Sequence, residues 1–380
     1  TGRTPMSHHP DYSRRTLLAG AAAALAAAVL QACAPVPVQK TTDTGPPVFP
    51  KPPDAPRFIY ERTIYSSADV VPDTGNAELK RLLTGAARRG EVLNKPSAIA
   101  VHQGRIYVSD TVESVIRVFD IPGGRHYRIG AEDPGLLSKP LGLDVDRNGN
   151  VYVADTTAKA IMIYDRDGKF LRKIGNAKWF DRLANVTVDP KGDRLYLVDI
   201  GGVSSQQHRV RVVSAITGEH LFDFGKRGKE AGEFNFPRDI AVNHNGLLYI
   251  VDSGNFRVQI FDRDGKFLKS FGSIGRQFGQ FARPKEIAVD AEGNVYVVDT
   301  AFGNFQIFDR EGELLMFVGT RSEQDGPARY MLPAGIAVDE DGRVYMVDQW
   351  FRKVDIYRPY AMKADAGWLG KRTGTKTVAR

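Results

Sequence analysis

Four polar residues have the chemical types and the spacing to bind a metal ion or to take part in proton transfer. Asn185, Asp239 and Glu286 occupy the same position in three related segments, LANVTVD, PRDIAVN and PKEIAVD. Asp144 lies two positions further along in the related segment before them, PLGLDVD. Carboxylate and amide oxygens are the ligands that Ca²⁺ and Mg²⁺ prefer. The sequence therefore predicts a candidate cation site wherever the fold brings these segments together.

A structural interpretation of the same residues stays open. Arg238 directly precedes Asp239, and Lys285 directly precedes Glu286. Each carboxylate could pair with one of these cations, because an opposite charge nearby stabilises its ionised form. A cluster paired in this way would need no metal ion.

Other catalytic patterns are absent from the sequence. The seven His residues are scattered, and His102 and His244 lie in polar turns, so the sequence predicts no zinc cluster. Cys33 is the single Cys, and no GxSxG nucleophile motif occurs. One carboxylate does recur, at the end of segments such as NVYVVD. These six repeat aspartates are Asp110, Asp155, Asp199, Asp252, Asp299 and Asp348. A group repeated six times is expected to be structural, accepting hydrogen bonds from the main chain of the loop that follows it.

The repeat aspartates belong to a longer repeated unit, because they follow one another at intervals of 44 to 53 residues. Each unit has an apolar segment such as GIAVD, a polar turn with Gly, a segment such as NVYVVD, a short loop, and two more segments such as RVQIFD and KFLKSFG. Short apolar segments bounded by Gly, Asn and Asp predict strands joined by tight turns. Units of this length with four strands are typical of the blades of a β-propeller.

Six such units predict an all-β protein, a six-bladed β-propeller of four-stranded antiparallel blades over residues 57–362. The last unit contains only three strands. Residues 57–65, RFIYERTIY, precede the repeats and are predicted to supply the missing strand. This pairing would close the ring and remove free sheet edges between its two ends.

The repeated phrases resemble those of a known family. IAVDAEGNVYVVDT, VDSGNFRVQIFDRDGKFLKSFG and GLDVDRNGNVYVADT resemble NHL repeats, and the resemblance covers residues 57–360. It implies a six-bladed propeller but no single activity, because NHL proteins include binding platforms, RNA-binding domains and a peptide-amidating lyase. The His ligands of that lyase find no matching motif here. The polar positions at Asn185, Asp239 and Glu286 resemble, loosely, the metal site of lactonase-type six-bladed propellers.

The propeller architecture also sorts the loops into two faces. The loops between second and third strands and the connections between blades share one face, here called the loop face, and the hairpin turns share the other, the hairpin face. Aromatic and basic side chains are typical of protein-binding surfaces. The binding-face candidates on the loop face are Trp179, Arg238, Phe256, Arg276, Lys285, Phe302, Trp350, Phe351 and Arg352. Phe180, Phe278, Phe281 and Tyr330 share this location, and any of these aromatic side chains could instead pack between blades.

Two segments interrupt the repeat. Residues 201–208 lengthen one loop of the third unit, either as a partner-specific feature or as a tolerated surface loop. Residues 66–94 include NAELKRLLTGAARRG, whose leucines recur at helical spacing, so the sequence predicts a helix over about 76–89. We expect this helix to lie across the loop face, where it could cover the central channel.

The N-terminal region has the pattern of an export signal. Residues 17–30 consist of Leu, Ala, Gly and Val, and they follow the basic pair Arg14 and Arg15. The phrase SRRTLLAG resembles a twin-arginine export motif, and LQAC resembles a bacterial lipobox. Residues 1–33 are therefore predicted to be an export signal ending in a lipobox, with Cys33 as the lipidated residue.

Two further segments flank the propeller. Residues 34–56 contain eight Pro and predict an extended tether, and residues 363–380 are basic and predict a flexible tail. Together with the signal, the tether predicts an exported protein that is lipid-anchored in the bacterial envelope and faces the periplasm or the cell surface. The outer membrane is favoured because Ala34 rather than Asp follows Cys33.

Composition narrows the class of function. With 42% apolar and 26% charged residues in 380, the chain is globular rather than disordered. Its net charge of +7 would suit a nucleic acid, but export argues against RNA as a partner. We predict a monomeric, non-catalytic platform in the cell envelope that binds an envelope protein or serves as an assembly scaffold, with no nucleic acid and no cofactor. The alternative is a hydrolase or lactonase that uses Ca²⁺ or Mg²⁺ at the channel mouth.

Overall fold

The computed structural model describes residues 1–2, 45–73, 75–86 and 88–370. The chain divides into two compact units, Thr1–Gly45 and Pro46–Arg380, and every element named below lies in the second. Residues 3–33 of the predicted signal, which include Cys33, and residues 34–44 of the predicted tether lie outside the described residues. The strands are β1 (Val48–Phe49), β2 (Phe58–Ile64), β3 (Pro96–His102), β4 (Arg105–Asp110), β5 (Val115–Asp120), β6 (Arg125–Ile129), β7 (Pro140–Val145), β8 (Val151–Asp155), β9 (Ala160–Tyr164), β10 (Phe170–Ile174), β11 (Leu183–Val188), β12 (Arg194–Asp199), β13 (Arg209–Ser214), β14 (His220–Phe224), β15 (Pro237–Val242), β16 (Leu248–Asp252), β17 (Arg257–Phe261), β18 (Phe267–Phe271), β19 (Pro284–Val289), β20 (Val295–Asp299), β21 (Asn304–Phe308), β22 (Leu314–Val318), β23 (Thr320–Arg321), β24 (Arg329–Tyr330), β25 (Pro333–Val338), β26 (Val344–Asp348) and β27 (Lys353–Pro359). The α-helices are α1 (Gly75–Thr84) and α2 (Gly367–Gly370), and two short 3-10 helices span Ser67–Asp69 and Ser253–Asn255.

These strands form six antiparallel blades around a central axis. Blades 1 to 5 are β3–β6, β7–β10, β11–β14, β15–β18 and β19–β22, and blade 6 consists of β25, β26, β27 and β2, with β1 added outside. The first strands contact one another in the order β3, β7, β11, β15, β19, β25 and back to β3. The prediction of a six-bladed all-β propeller is thereby confirmed.

Burial explains why the strands differ in composition. The second strand of each blade has neighbouring blades on both of its faces, so all five residues of β8, VYVAD, are buried. The outer strand of the same blade, β10, reads FLRKI and alternates between exposed and less exposed residues. A strand covered on both faces is apolar throughout, whereas a half-covered strand alternates.

The predicted turn chemistry is present in the hairpins. In blade 5 the Asp290 carboxylate accepts hydrogen bonds from the main-chain N–H groups of Glu292 at 2.9 Å and Asn294 at 2.8 Å, and from the hydroxyl of Tyr296 at 2.9 Å. Gly293 in this turn has a φ of +89°, which favours glycine. The Asp290 side chain therefore fixes the turn by bonding to the main chain of the residues that follow it.

Neighbouring blades are joined by polar side chains as well as by apolar packing. In three blades, a hydroxyl directly after the repeat aspartate donates to a main-chain carbonyl at the start of the next blade. These bonds are Thr156 to Leu183 at 2.9 Å, Ser253 to Pro284 at 2.8 Å and Thr300 to Pro333 at 3.1 Å. Each bond satisfies a carbonyl near the axis and fixes the angle between two blades.

The N-terminal strand closes the ring as predicted. β2 pairs with β27 in the register Tyr60 to Tyr357 and Ile64 to Val354. The fully buried Arg343 of blade 6 donates from Nε to the Glu61 carboxylate at 2.8 Å. A buried guanidinium needs such a carboxylate, because an unpaired charge in the interior is costly.

The chain on both sides of the closure differs from the predicted boundaries. β1 lies within the predicted tether of residues 34–56, but it pairs with β2, with Val48 opposite Ile59. At the other end, within the predicted tail, Leu369 is buried and the Ala366 carbonyl accepts from Arg343 at 2.8 Å. Both segments are held by blade 6, and residues 371–380 lie outside the described residues.

We expect Glu61→Ala to lower the free energy of unfolding by about 3 kcal/mol, because the buried Arg343 would keep only its longer contact to the Asp341 carboxylate, at 3.4 Å. Urea denaturation at equilibrium measures the change. The matched control is Glu311→Ala, which removes an exposed pair with Lys269 between blades 4 and 5 and should cost less than about 1 kcal/mol. Equal losses in the two variants would contradict a special role for the buried pair in ring closure.

Candidate functional site

A cavity of about 610 Å³ lies on the propeller axis, inside the six first strands. Its rim on the hairpin face is formed by the turns at residues 146–148 and 190–192. The four predicted cation ligands all line this cavity: Asp144, Asn185, Asp239 and Glu286. The tertiary structure therefore brings together residues that lie up to 142 positions apart in the chain.

Asp144 joins blade 2 to blade 3. Its carboxylate accepts hydrogen bonds from the Thr187 hydroxyl at 2.7 Å and from the Val188 N–H at 2.9 Å, and its other oxygen accepts from the Val145 N–H at 2.8 Å. Burial raises the pKa of Asp144, against the opposing effect of these hydrogen bonds. Both oxygens of this candidate ligand are therefore engaged in hydrogen bonds, and one of them joins blade 2 to blade 3.

Asn185 and Asp239 continue the same arrangement around the axis. The side-chain amide of Asn185 in blade 3 donates to Asp239 in blade 4. Asp239 in turn accepts from the N–H of Ile240 at 2.7 Å and from the N–H of Ile287 in blade 5 at 2.8 Å. Three blade junctions in succession, from blade 2 to blade 5, are thus bridged by polar side chains at the cavity wall. Burial raises the pKa of Asp239 to about 7, against the opposing main-chain hydrogen bonds.

Glu286 differs from the other three residues. Among the described residues, no donor lies within hydrogen-bond distance of its carboxylate. Burial, reinforced by the nearby Asp239, raises the pKa of Glu286 well above its ordinary value, although Lys285 and Arg238 act in the opposite direction. Burial also lowers the pKa of the Lys285 ammonium. Glu286 is therefore the carboxylate of this cavity with the most freedom to bind a ligand or exchange a proton.

The oxygen atoms that line the cavity only partly meet the needs of a hard cation. Oxygen ligands are present, but those of Asp144 and Asp239 already accept hydrogen bonds from the protein. Within the described ranges, no group of three or more His, Cys, Asp or Glu side chains is arranged as a metal site. A bound cation would need Glu286 together with waters or a rearranged Asp239, so the cation site stays a prediction.

The repeat aspartates have the structural role predicted for them in every blade except blade 4. There Asp252 accepts from the side chains of Asn255 at 2.8 Å and Arg257 at 2.9 Å instead of from the main chain of the following loop. Asp348, fully buried, accepts from the N–H groups of Trp350 at 2.9 Å and Phe351 at 2.8 Å in the loop that follows. It also accepts from Met331 at 2.9 Å and Leu332 at 3.0 Å in the connection before its own blade. This second set of bonds was not predicted, and it ties two segments of the loop face to one carboxylate.

The loop after each repeat aspartate has a fixed backbone shape. Four residues beyond the Asp, the chain has positive φ in five blades, and only blade 5 places a glycine there. The residues are Ser114, Lys159, Phe256, Gly303 and Arg352, with φ between +48° and +69°. A side chain in this left-handed conformation costs roughly 1 to 2 kcal/mol. The bonds to the repeat aspartates hold these loops in place despite that cost.

The loop-face candidates divide by exposure. The exposed members are Arg238, Arg276, Trp350 and Arg352, together with Phe278. The half-buried members are Trp179, Phe256, Lys285, Phe302 and Phe351. Phe180, Phe281 and Tyr330 are buried and pack between blades. For these three aromatic residues, the alternative that they pack between blades is correct. The exposed residues are the ones that a partner could contact.

Sequence reasoning missed three exposed apolar residues of the same face. Val112, Val203 and Ile274 are 64%, 80% and 66% exposed. The sequence does indicate them, because each is an apolar residue in a loop where the repeat requires no apolar residue for packing. Val203 lies in the 201–208 segment, whose last residue, His208, is fully buried and accepts from the Phe236 N–H of blade 4 at 3.1 Å.

The predicted helix is present but is shorter and lies elsewhere. α1 ends at Thr84 rather than near residue 89, and Gly85 follows with a φ of +65°. None of its described residues lines the central cavity, so the expectation that it covers the channel is wrong. Pro72, in the segment before α1, lies beside Gly124 in a hairpin turn of blade 1, because a methyl group added at Gly124 would be only 3.1 Å from the Pro72 side chain. The segment before α1 therefore follows the outside of blade 1. Its leucines remain exposed.

In sequence, the chain is similar to known proteins over short stretches. The family model described as NHL repeat matches residues 234–261, most of blade 4. A human protein, NHL repeat-containing protein 3, is 31% identical over 90 residues, which is 23% of this chain and 24% of that protein. The chain spans about a quarter or less of the length of the curated relatives it matches. These matches identify at least one NHL repeat in the propeller.

In structure, the chain is similar to other propellers. A gluconolactonase from Xanthomonas campestris superposes with a TM-score of 0.54 at 15% identity, covering 79% of this chain and 98% of that one. A protein of unknown function from Bacteroides thetaiotaomicron superposes with a TM-score of 0.56 at 18% identity, covering 78% and 75%. At these identities the likeness concerns the fold alone.

We expect Glu286→Gln to stabilise the protein increasingly as the pH rises from 4 to 8. Above about pH 4.3 the unfolded glutamate loses its proton while the folded one keeps it, so stability falls by up to about 1.4 kcal/mol per pH unit until the raised pKa is reached. Glutamine cannot ionise and removes this loss. Urea denaturation across the pH range measures the difference, with the exposed Glu323→Gln as control. Parallel curves for wild type and Glu286→Gln would contradict the raised pKa.

Proposed function

We propose that this protein is a non-catalytic propeller platform that binds a partner protein through its loop face. One observation carries the proposal: Trp350, which is 59% exposed, and Arg352, which is also exposed, occupy a loop held by the buried Asp348. Aromatic and Arg side chains contribute most to protein interfaces, and a rigid loop loses little entropy on binding.

The surroundings of Trp350 support this proposal. Lys353 is fully buried beneath the loop, with its ammonium 5.6 Å from the ring centre of Phe351 and 2.9 Å from the Asp325 carboxylate. Phe351 and Lys353 therefore anchor the loop from below, while its outer residues face solvent. An exposed aromatic side chain on an anchored loop favours recognition over internal packing.

We extend the proposal to the location of the protein. The signal pattern of residues 1–33 and the lipobox at Cys33 support export and a lipid anchor in the bacterial envelope, with the partner an envelope protein rather than a nucleic acid. Among the described residues, no helix is long and apolar enough to span a bilayer. In this proposal the acyl chains at Cys33 provide the membrane attachment.

Site-specific photo-crosslinking in intact cells tests the loop face. A photoreactive amino acid at position 350 is expected to give a discrete adduct, and Arg352→Ala is expected to reduce its yield several-fold, because both residues would lie in one interface. The same label at Lys191, exposed on the hairpin face, is the matched control and should give none. Adducts of equal yield at the two positions, or at neither, would count against the proposal.

A second candidate function is a hydrolase or lactonase that uses Ca²⁺ or Mg²⁺ in the central cavity. It is favoured by Glu286, whose carboxylate lines the cavity without a hydrogen-bond donor among the described residues and lies near Asp239. Carboxylates with raised pKa values in a cavity are typical of functional sites.

Titration calorimetry with calcium or magnesium chloride alone tests this second candidate. It predicts saturable binding that is lost in both Glu286→Ala and Asp239→Ala, because both carboxylates would contribute ligands. The exposed Asp264→Ala serves as control and is expected to bind like the wild type. Heat no greater than dilution in the wild-type protein would end the metal-dependent alternative.

A further inference from the structure

A second concave surface lies on the outside of the ring, between the edges of blades 5 and 6. It is a groove of about 1340 Å³, and we call it the outer groove. One wall consists of β22 with Phe278, and the other consists of residues 47–57 together with residues 325–329. The groove is separate from both the central cavity and the loop around Trp350.

The strand that lines this groove has a free edge. β22 is the last strand of blade 5, and within the described ranges it pairs only with β21, so the main-chain groups of alternate residues point outward. Natural edge strands usually carry charges that prevent pairing with other chains. The outer strands of blades 1 to 4 follow this rule with RHYRI, FLRKI, HLFDF and FLKSF, but β22 reads LLMFV and has no charged residue.

The solvent-exposed side chains of β22 are apolar. Leu315 and Phe317 alternate along one face of the strand and are 36% and 38% exposed. Phe278, from the connection between blades 4 and 5, stacks on Phe317 with ring centres 4.3 Å apart and an interplanar angle of 14°. The edge therefore offers both main-chain hydrogen bonds and an apolar surface beside them.

The neighbouring blade shows how such an edge can be filled. In blade 6 the extended segment that contains β1 pairs with the outer edge of β2, where the Arg57 N–H donates to the Phe49 carbonyl at 2.7 Å and the Tyr60 N–H donates to the Pro47 carbonyl at 2.9 Å. This segment also forms the second wall of the outer groove. The fold thus accepts an added strand at the outer edge of one blade, while no described residue pairs with the outer edge of the next.

Charge around the groove indicates what would bind there. Lys51, Arg57 and Arg329 are exposed at its margins. Asp325 is already paired, at 2.9 Å from the Lys353 ammonium and 2.8 Å from the Tyr65 hydroxyl, which leaves Asp54 as the exposed acid. The margin is therefore basic, and an acidic flank on the bound segment would complement it.

We propose that the outer groove binds an extended segment of a partner protein by strand addition to β22, with alternating apolar side chains against Leu315 and Phe317 and an acidic flank against the basic margin. This mode combines main-chain hydrogen bonds with side-chain pockets. The inference rests on the proposed binding function but uses a different surface.

Fluorescence anisotropy tests this proposal with the full chain and a labelled peptide of two Asp followed by four Val-Thr pairs. We expect saturable binding that weakens at least tenfold in Leu315→Ser. The matched control is Leu268→Ser, at the equivalent position of β18 and 45% exposed, which should change binding less than twofold. A peptide methylated at alternate main-chain nitrogens should bind at least tenfold more weakly, because strand addition needs those N–H groups.

Three results would overturn the proposal. They are no saturable binding, equal losses in Leu315→Ser and Leu268→Ser, and unchanged affinity of the methylated peptide. Sedimentation velocity adds a fourth: a dimer that Leu315→Ser dissociates would mean that a second copy of the chain occupies the groove. Crosslinking at position 350 is independent of β22, so it separates failure of this inference from failure of the proposed function.

Discussion

The loop face of this propeller depends on a carboxylate buried at the end of each second strand. Asp110 accepts hydrogen bonds from the N–H groups of Asn94 and Lys95, before the blade, and of Val112 and Glu113, after the second strand. A buried carboxylate is costly unless its oxygens are satisfied, and here the main-chain N–H groups of two loops satisfy them, with Arg117 3.5 Å away as an additional counter-ion. The same carboxylate therefore stabilises the blade and fixes two loop segments around it.

Blade 3 shows how two neighbouring blades are joined where the repeat is interrupted. Its repeat aspartate is followed by Ile200, which has no hydroxyl to donate to the next blade. Here the inserted residues 201–208 end in the buried His208, whose Nδ1 accepts from the Phe236 N–H of blade 4. The insertion thus has a structural role at its end, while Val203 near its start remains exposed to solvent. A partner-specific role for the exposed part is compatible with this anchoring.

The central cavity and the outer surfaces differ in the contacts that their side chains make. Most polar side chains of the cavity are hydrogen-bonded within the protein, whereas several large apolar side chains on the outside are exposed. Around the axis, Asp144, Asn185 and Asp239 contribute their oxygens and amide to hydrogen bonds between blades, and Glu286 alone keeps its carboxylate free of donors among the described residues. On the outside, Trp350 and Phe278 remain 59% and 65% exposed. Hydrogen bonds inside the ring make it rigid, and a rigid ring can present exposed side chains at low entropic cost.

The sequence by itself determined the repeat, the strand count, the turn types and the ring closure, because each depends on local patterns such as the period of apolar residues and the position of Gly and Asp. It also determined that the repeat aspartates are structural, since repetition around a ring excludes a single catalytic role. Only the tertiary structure decided that Asp239 bonds to Asn185 and to Ile287, that Tyr330 is buried while Trp350 is exposed, and that α1 lies away from the channel. It alone also placed β1 beside β2 and showed that no strand of the described part of the chain pairs with the uncharged outer edge of β22. These outcomes depend on contacts between residues far apart in the chain, and a local pattern carries no information about which distant group will cover a side chain or accept its hydrogen bond.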